Sequence, residues 1–352
     1  MAKHKILPFF IPMEGCPQRC IYCDQYAIAG ETASPSAAQI ASALERFTPD
    51  AGAEVAFYGG SFTCLPRERQ RYLLQAVQPA LLEGRIGGIR ISTRPDALDA
   101  ELLNWLGGQG VRTVELGIQS FDADVLAKSA RGYTPEIAEQ ACRLVSESGL
   151  RLGVQLMTGL PADDAFKDRQ SVRGAAELGA SLLRIYPTLV LRGTRLAEDY
   201  SRGAYRPQSL EEAIRCCAAM MIMAEAQKLN IIRIGINPTP EVEAALIAGP
   251  YHPAFGGLVK EAVKMAQIRD LLASYDSGRA AALLFPPAEQ ALIWGQKAAG
   301  LQALARDYPN LALIPDRHLR PGDLSLELEG QSTLSTLHAF CQRQIRGSRR
   351  PC

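Results

Sequence analysis

Three cysteines stand close together near the N-terminus, at Cys16, Cys20 and Cys23. Their spacing, C-x3-C-x2-C, supplies three thiolates from one short loop and no fourth. A structural zinc site uses four protein ligands, whereas an iron-sulfur cube held by three thiolates leaves one iron open to a ligand that is not protein. The pattern therefore favours a metal centre that does chemistry over one that only stabilises the fold.

Other interpretations of these cysteines stay open on the residues alone. They could be small buried hydrophobic residues, a redox trio, or part of a zinc site that a distant histidine completes. None of the chain's four histidines follows the cysteines at the spacing of a zinc finger. Residues further along the chain decide in favour of the iron-sulfur interpretation. The glycine pair Gly59-Gly60 and the segment with Gln119 and Arg131, described below, form a second pattern that only this interpretation explains.

The run from Gly15 to Cys23 resembles the signature of the radical S-adenosylmethionine (SAM) superfamily, with Tyr22 at the aromatic position before the third cysteine. The resemblance implies that Cys16, Cys20 and Cys23 hold a 4Fe-4S cluster whose fourth iron binds the amino and carboxylate groups of SAM. It also implies reductive cleavage of SAM to a deoxyadenosyl radical that abstracts a hydrogen atom, with a reducing partner such as flavodoxin or ferredoxin. In such enzymes the cofactor supplies the reactivity, and the protein orients and shields it.

The composition is that of an ordinary globular chain. Charged residues make up 21% and hydrophobic residues 47% of its 352 residues, and the formal net charge of +1 gives no global sign of nucleic-acid binding. No apolar stretch approaches the roughly 18 residues of a membrane span, and the N-terminus lacks the apolar core of a signal peptide. We therefore expect a cytoplasmic protein with no membrane partner, in a reducing compartment that suits unpaired cysteines.

Short apolar runs alternate with helical patterns over the first part of the chain, which is typical of βα units around a parallel sheet. The predicted strands are Lys5–Phe10, Glu54–Tyr58, Gly88–Ser92, Thr113–Ile118, Arg151–Leu156, Ser181–Tyr186 and Ile231–Ile236. The predicted helices are Ser36–Phe47, Arg67–Leu82, Asp99–Leu106, Pro135–Ser148, Lys167–Leu178 and Leu210–Leu229. The expected fold class is α/β, and these units fit the partial (β/α)6 barrel that the resemblance implies.

The alternation weakens after residue 240, where the proline-rich run from Asn237 to Pro240 marks a boundary. We predict a radical SAM core domain over residues 1–240 and a small α/β extension over residues 241–352 that shapes or covers the substrate site. Within the extension we predict helices at Leu258–Tyr275 and Pro287–Ala305. The predicted strands are Ala281–Phe285, Leu311–Ile314 and Leu324–Leu328.

A glycine-rich motif follows the second predicted strand, at the end of the barrel where loops carry function. Gly59 and Gly60 let the backbone approach a ligand closely because neither residue has a side chain. The resemblance extends to this segment and implies that Gly59, Gly60, Ser61 and Thr63 contact SAM, with the backbone accepting hydrogen bonds from the SAM amino group. A simple turn is the alternative explanation of the glycine pair.

Gln119 directly follows the fourth predicted strand, and Arg131 comes later in the chain. A guanidinium fork matches a carboxylate, and an amide pairs with ribose or carboxylate oxygens. The runs Gly-x-Gln-Ser-Phe and Arg-Gly are similar to the SAM-binding segment of the oxygen-independent coproporphyrinogen oxidase group and of the Elongator catalytic subunit, which implies that both residues bind SAM. The alternative interpretation is that Gln119 only ends a strand and that Arg131 is a solvated cation. Ser92 and Gln155 stand where the oxidase group carries acidic residues, and are further candidates for SAM contacts.

The run from Leu183 to Leu196 is similar to the Elongator catalytic subunit, and it places Arg184 and Tyr186 at the predicted mouth of the active site. The similarity covers residues 5–236. The gap between the first two cysteines is shorter than in that subunit, and residues 241–352 show no CoA-binding glycine loop like that of its acetyltransferase domain. The resemblance implies an RNA nucleoside as substrate; a tetrapyrrole or small metabolite, or a protein that binds cluster and SAM without turnover, are the alternatives.

Overall fold

The chain, seen here in a computed structural model that describes residues 5–30, 33–50 and 52–347, forms two compact units. The first comprises residues 1–210 and 230–253, and the second comprises residues 211–229 and 254–352. Residues 211–229 thus group with the C-terminal part of the chain, although they precede residue 240. The functional domain boundary at residue 240 stays a prediction.

The first unit is built around a seven-stranded parallel sheet. The strands of the first unit, including two outside this sheet, are β1 (Ile6–Phe10), β2 (Glu54–Tyr58), β3 (Gly88–Thr93), β4 (Val111–Gln119), β5 (Arg151–Thr158), β6 (Leu182–Pro187), β7 (Val190–Leu191), β8 (Asn230–Ile234) and β9 (Leu246–Ala248). The order in the sheet is β1-β2-β3-β4-β5-β6-β8, while β7 and β9 pair separately. This curled parallel sheet with its helices is a partial α/β barrel, so the predicted fold class is confirmed.

The helices of the chain are α1 (Gln25–Ala29), α2 (Ala37–Arg46), α3 (Arg67–Gln75), α4 (Gln78–Leu82), α5 (Ala100–Gly108), α6 (Ala123–Lys128), α7 (Pro135–Glu147), α8 (Ala165–Glu177), α9 (Arg195–Ser201), α10 (Leu210–Ala226), α11 (Pro240–Ala245), α12 (Phe255–Leu271), α13 (Gln290–Trp294), α14 (Ala299–Asp307) and α15 (Leu337–Gly347). The prediction of a single helix over Arg67–Leu82 is wrong, because the chain divides there into α3 and α4. In a continuous helix the ring of Pro79 would clash with the carbonyl of Gln75, four residues earlier. In the part of the chain that the structure describes, no helix has the length and apolarity to cross a membrane.

The second unit has its own sheet and core. Its strands are β10 (Ala281–Phe285), β11 (Leu311–Pro315), β12 (Leu324–Leu328) and β13 (Gln331–Ser335), in the order β11-β10-β12-β13. Leu283, Phe285 and Leu324 are fully buried in the core, with Ile268 of α12. The helix predicted over Pro287–Ala305 is divided, because the backbone around Gly295 turns to positive φ. The C-terminal extension is therefore confirmed as a folded part of the chain.

Four charged side chains and one hydroxyl occupy one face of the main sheet, and we call them the interior ion network: Glu54, Arg90, Glu115 and Arg184, with Thr113. Arg90 donates to Glu54 at 3.1 Å and to Glu115 at 2.7 Å, and Arg184 donates to Glu115 at 2.9 Å. Thr113 adds a hydrogen bond of 2.7 Å to Glu54. Although burial of Glu115 raises the pKa of its carboxyl, the two arginines hold that pKa below its usual value. The network satisfies charges that would otherwise be costly to bury.

Two carboxyl groups meet where β5 ends, at Asp163 and Asp168. The hydroxyl of Thr158 donates to Asp168 at 2.6 Å, the amide of Gly159 donates to Asp163 at 2.9 Å, and the two carboxyls share a hydrogen bond. Burial raises the pKa of Asp163 to about 6, and burial together with the charge of Asp163 raises the pKa of Asp168 well above its usual value. The pair therefore holds a proton to higher pH than isolated carboxyl groups do.

This pair makes folding stability depend on pH. A carboxyl with a raised folded-state pKa contributes its full stability below about pH 4 and loses it as the pH rises through about 6. Replacing Asp163 with asparagine is expected to raise the free energy of unfolding at pH 8 by about 1 kcal/mol, because the amide keeps the acceptor for Gly159 without the charge. Urea denaturation between pH 4 and 8 measures the effect. Asp124→Asn on α6 removes the same charge from an exposed position and serves as control; equal pH profiles for the two variants would contradict this account.

Candidate functional site

A cavity of about 480 Å³ lies at the carboxyl ends of the parallel strands within the first unit. All three motif cysteines line it, together with most of the residues predicted to contact SAM, namely Tyr22, Gly59, Gly60, Ser92, Gln119, Arg131 and Gln155. These residues come from six different segments of the chain. The fold therefore brings them together at the edge of the sheet where α/β barrels carry their active sites.

The cysteines lie on the loop that follows β1. Cys20 is buried, whereas Cys16 and Cys23 are partly exposed. Burial raises the pKa of the Cys23 thiol to about 12, and the neighbouring thiols of Cys20 and Cys16 add to the effect. Among the described residues, no three His, Cys, Asp or Glu side chains converge as they would around a single metal ion. Three neighbouring thiols, one of which has a raised pKa, fit a positively charged cluster, because its irons offset the repulsion between thiolates.

Gly60 packs against the backbone of the cysteine loop. A Cβ atom on Gly60 would lie 2.4 Å from the carbonyl oxygen of Glu14 and 2.6 Å from that of Ile11. Gly15 makes the reciprocal approach, since a Cβ there would lie 2.5 Å from the oxygen of Ser61. The amide of Ser61 donates to Glu14 at 3.1 Å. Gly60 is thus required by the contact between two loops, in addition to the close approach to a ligand that the sequence predicts.

The rest of the glycine-rich segment divides into cavity-lining and buried residues. Gly59, with φ of +92°, lines the cavity. Ser61 and Thr63 are buried outside that lining, and their hydroxyls form hydrogen bonds of 2.9 and 2.5 Å with Thr93. Ser61 also accepts from the amide of Arg94 at 3.2 Å. These two side chains therefore connect the segment to the end of β3, and their contact with SAM stays a prediction.

Arg131 is a buried cation of the site. Its side chain donates to the hydroxyl of Tyr133 at 2.9 Å, the sulfur of Cys20 at 3.1 Å, the hydroxyl of Tyr22 at 3.2 Å and the carbonyl of Gly117. Only 6% of the residue is exposed, so the alternative of a solvated cation is wrong. None of the described carboxylates pairs with it. A buried guanidinium without a carboxylate partner, at the edge of a cavity, is suited to bind an anionic group.

Gln119 has a strained backbone. Its φ of +71° lies in the left-handed region that residues other than glycine rarely adopt. The pairing of β4 with β5 shifts register between Gly117 and Gln119, so the strand bulges where it reaches the cavity. The amide of Gln155 donates to Gln119 at 3.1 Å. Such strain is common at functional sites, where neighbouring contacts hold a side chain in an otherwise unfavourable position.

Arg94 and Tyr133 support Arg131, and sequence reasoning missed both roles. Arg94 forms a fork with Asp96 at 2.9 and 2.7 Å and donates to the carbonyl of Arg131 at 2.6 Å. Tyr133 donates to the carbonyl of Gly117 at 2.8 Å while it accepts from Arg131. The Arg-Pro-Asp run was visible in the sequence, but nothing local shows that it reaches residue 131.

The strands β2, β6 and β8 supply a second group of cavity residues. Arg184 donates to the hydroxyls of Tyr186 at 3.1 Å and Tyr58 at 3.2 Å, and its guanidinium lies 5.1 Å from the centre of the Tyr58 ring. Arg184 and Tyr186 line the cavity. Arg233 of β8 also lines it, and no motif in the sequence predicts its role.

Two family models match consecutive parts of the chain: the radical SAM superfamily over residues 10–168 and the Radical_SAM C-terminal domain over residues 180–265. The chain belongs to the radical SAM superfamily. It is thus classed with radical SAM enzymes, as the cysteine motif predicted, and a 4Fe-4S cluster with SAM is the general chemistry of that superfamily.

Curated relatives of this radical SAM protein include Elongator proteins. It is 31% identical over 191 residues to tRNA uridine(34) acetyltransferase of Methanocaldococcus jannaschii, a match covering 53% of this chain and 35% of the relative. It is 30% identical over 186 residues to Elongator complex protein 3 of Mus musculus, covering 47% and 34%. The match thus spans about a third of the length of these curated relatives. The predicted resemblance to the Elongator group is confirmed.

A solved structure shows the same fold. The archaeal Methanocaldococcus infernus Elp3 with an N-terminal deletion matches with a TM-score of 0.59 and 22% identity, covering 74% of this chain and 62% of that one. The likeness extends the agreement in architecture beyond the cysteine motif to most of the chain.

Proposed function

We propose that this radical SAM protein holds a 4Fe-4S cluster on Cys16, Cys20 and Cys23 and binds SAM at the iron that no cysteine ligates. The observation that supports the proposal is that these thiols share one cavity with Gly59 and Arg131. When bound, the two cofactors supply a one-electron reduction that cleaves SAM and leads to hydrogen-atom abstraction from a substrate. The electron comes from a reducing partner such as flavodoxin or ferredoxin.

Different residues of the cavity bind different chemical groups of SAM. Arg131 is a fork of donors without a carboxylate partner among the described residues, and it pairs with the SAM carboxylate. The backbone of Gly59, open to the cavity, accepts from the SAM amino group. Gln119 and Gln155, already joined at 3.1 Å, and Ser92 bind the ribose hydroxyls. The buried surroundings of these groups exclude water and protect a reactive species from side reactions.

An RNA nucleoside is the substrate that we propose for this site. The support is sequence similarity to a tRNA uridine(34) acetyltransferase over 53% of this chain and to Elongator complex protein 3 over 47% of it. The aromatic rings of Tyr58 and Tyr186 at the cavity add surfaces on which a nucleobase can stack. The C-terminal extension is proposed to shape access to this site.

The proposed reaction predicts products that are measured directly. Protein reconstituted anaerobically with iron and sulfide, then reduced with dithionite, is expected to convert SAM to 5′-deoxyadenosine and methionine in equal amounts. Chromatography with mass detection quantifies both, and unreduced protein is the control. SAM that binds without yielding either product would instead show a carrier protein and contradict the proposal.

The substrate class is tested in cells of the source organism with and without the gene. An untargeted comparison of digested tRNA and of small metabolites is expected to show a changed tRNA nucleoside. A change confined to tetrapyrroles or other metabolites would contradict the RNA assignment and leave SAM cleavage intact.

A further inference from the structure

The cavity carries more positive charge than the proposed SAM site uses. Among the residues that the structure describes, its lining includes four arginines, Arg94, Arg131, Arg184 and Arg233, and no aspartate or glutamate. A cavity of one sign of charge selects ligands of the opposite sign. The partners of each arginine therefore show where a ligand's negative charge is required.

Arg233 is the arginine whose charge remains unused. Arg94 is paired with Asp96, Arg184 with Glu115, and Arg131 is assigned to SAM. The Nε of Arg233 donates to the carbonyl of Gly235 at 2.8 Å. Among the described residues, its terminal nitrogens have no acceptor within hydrogen-bond distance and no carboxylate within 4.0 Å.

The interior ion network does not neutralise Arg233. Glu54 and Glu115 balance Arg90 and Arg184 within the network, which leaves Arg233 as an additional positive charge. Burial and the nearby Arg184 both lower the pKa of Arg233, whereas Tyr186 opposes them. The guanidinium nevertheless stays charged at neutral pH. A partly buried cation without a counterion is unfavourable in the free protein, and an anionic ligand removes that cost.

We propose that Arg233 binds an oxyanion of the substrate, a phosphate or a carboxylate, and thereby determines which substrates the cavity accepts. This inference rests on the proposed function, because it places the anion in the same cavity as SAM. The terminal nitrogens form a planar pair of donors that suits either anion in a bidentate contact. Tyr186 lies close to Arg233 and gives an adjoining aromatic surface to the group that carries the anion.

Anion binding by the reconstituted full chain with saturating SAM tests the inference. Inorganic phosphate and acetate are titrated separately at constant ionic strength and followed by calorimetry. One of them is expected to bind the wild-type protein, and Arg233→Gln is expected to weaken that binding at least about tenfold, or about 1.4 kcal/mol. Preference for phosphate identifies a phosphate-bearing substrate, and preference for acetate a carboxylate-bearing one.

Two further variants separate a specific contact from a general effect of charge. Arg233→Lys is expected to keep part of the phosphate binding and to lose most of the acetate binding, because lysine offers a point charge without the fork. Arg143→Gln removes an exposed arginine of α7 that pairs with Glu139, and is expected to bind like the wild type. Wild-type protein that binds neither anion, or Arg233→Gln protein that binds as the wild type does, would overturn the inference.

The readouts for Arg233 and for the proposed function are independent. Deoxyadenosine formation by the wild-type protein without any anion tests SAM cleavage alone. A protein that cleaves SAM but shows no anion binding dependent on Arg233 overturns only the inference. A protein that binds anions through Arg233 but never cleaves SAM overturns only the proposed function.

Discussion

Replacement of Cys16, Cys20 and Cys23 together with alanine is expected to abolish iron binding and deoxyadenosine formation while the fold persists. The three cysteines lie on a loop outside the paired strands, and only Cys20 is buried, so the sheet and its core keep their contacts. A small module that needs zinc to fold would instead unfold when its ligands are removed. Iron and sulfide content, visible absorption and circular dichroism measure these effects on the same sample.

Cys64→Ala provides the matched control for this experiment. Cys64 is also partly exposed and lies near the cysteine loop, where its sulfur accepts from Ser61 at 3.2 Å, but it does not line the cavity. The control is expected to retain iron and activity. Retention of a full iron complement by the triple variant would show that the cluster assignment is wrong, and unfolding of that variant would favour a metal-stabilised module.

Gly60→Ala is expected to lower cluster occupancy and deoxyadenosine formation at least about tenfold, since small misplacements of a reacting group cost this much or more. The added Cβ would lie 2.4 Å from the oxygen of Glu14, and backbone cannot yield as a flexible side chain does. The φ of Gly60 lies outside the left-handed region, so the contact alone is tested. We expect a loss of about 1–3 kcal/mol in stability from the overpacking.

Gly108→Ala on α5 is the control for the glycine experiment. No atom lies within 4 Å of the Cβ position at Gly108, and alanine favours the helix by about 0.5–1 kcal/mol. This variant is expected to be as active as the wild type and at least as stable. Equal iron content in the Gly60→Ala and Gly108→Ala proteins would show that the approach of the two loops is not needed for cluster assembly.

The elements that the sequence predicted well are those with a strong local pattern. The predicted bounds of β2, β10 and β12 agree with the structure because apolar residues, which are consecutive in β2 and β10 and alternate with polar ones in β12, lie between charged residues, prolines or glycines. The strand β13, Gln331–Ser335, escaped prediction because most of it is exposed and polar. Its position is set by pairing with β12, which no local pattern encodes.

The residues of the candidate site also differ in how well a local sequence pattern predicts them. The motif cysteines and Gly59 are adjacent or closely spaced in sequence, so their pattern could be recognised. The contact between Gly60 and Glu14 joins residues 46 positions apart, and the contact of Arg131 with Cys20 joins residues 111 positions apart. Arg233 lies within an apolar run, and its importance appears only when its lack of partners in the folded unit can be seen.

The interior ion network also limits how the sheet can be misassembled. Strands buried on both faces are apolar along most of their length, so hydrophobicity alone discriminates weakly between alignments. A slip of β3 by one residue would turn Arg90 to the opposite face and leave Glu54 without its guanidinium, at a cost of several kcal/mol. These charges thus contribute less by strengthening the native sheet than by making its misaligned competitors unstable during folding.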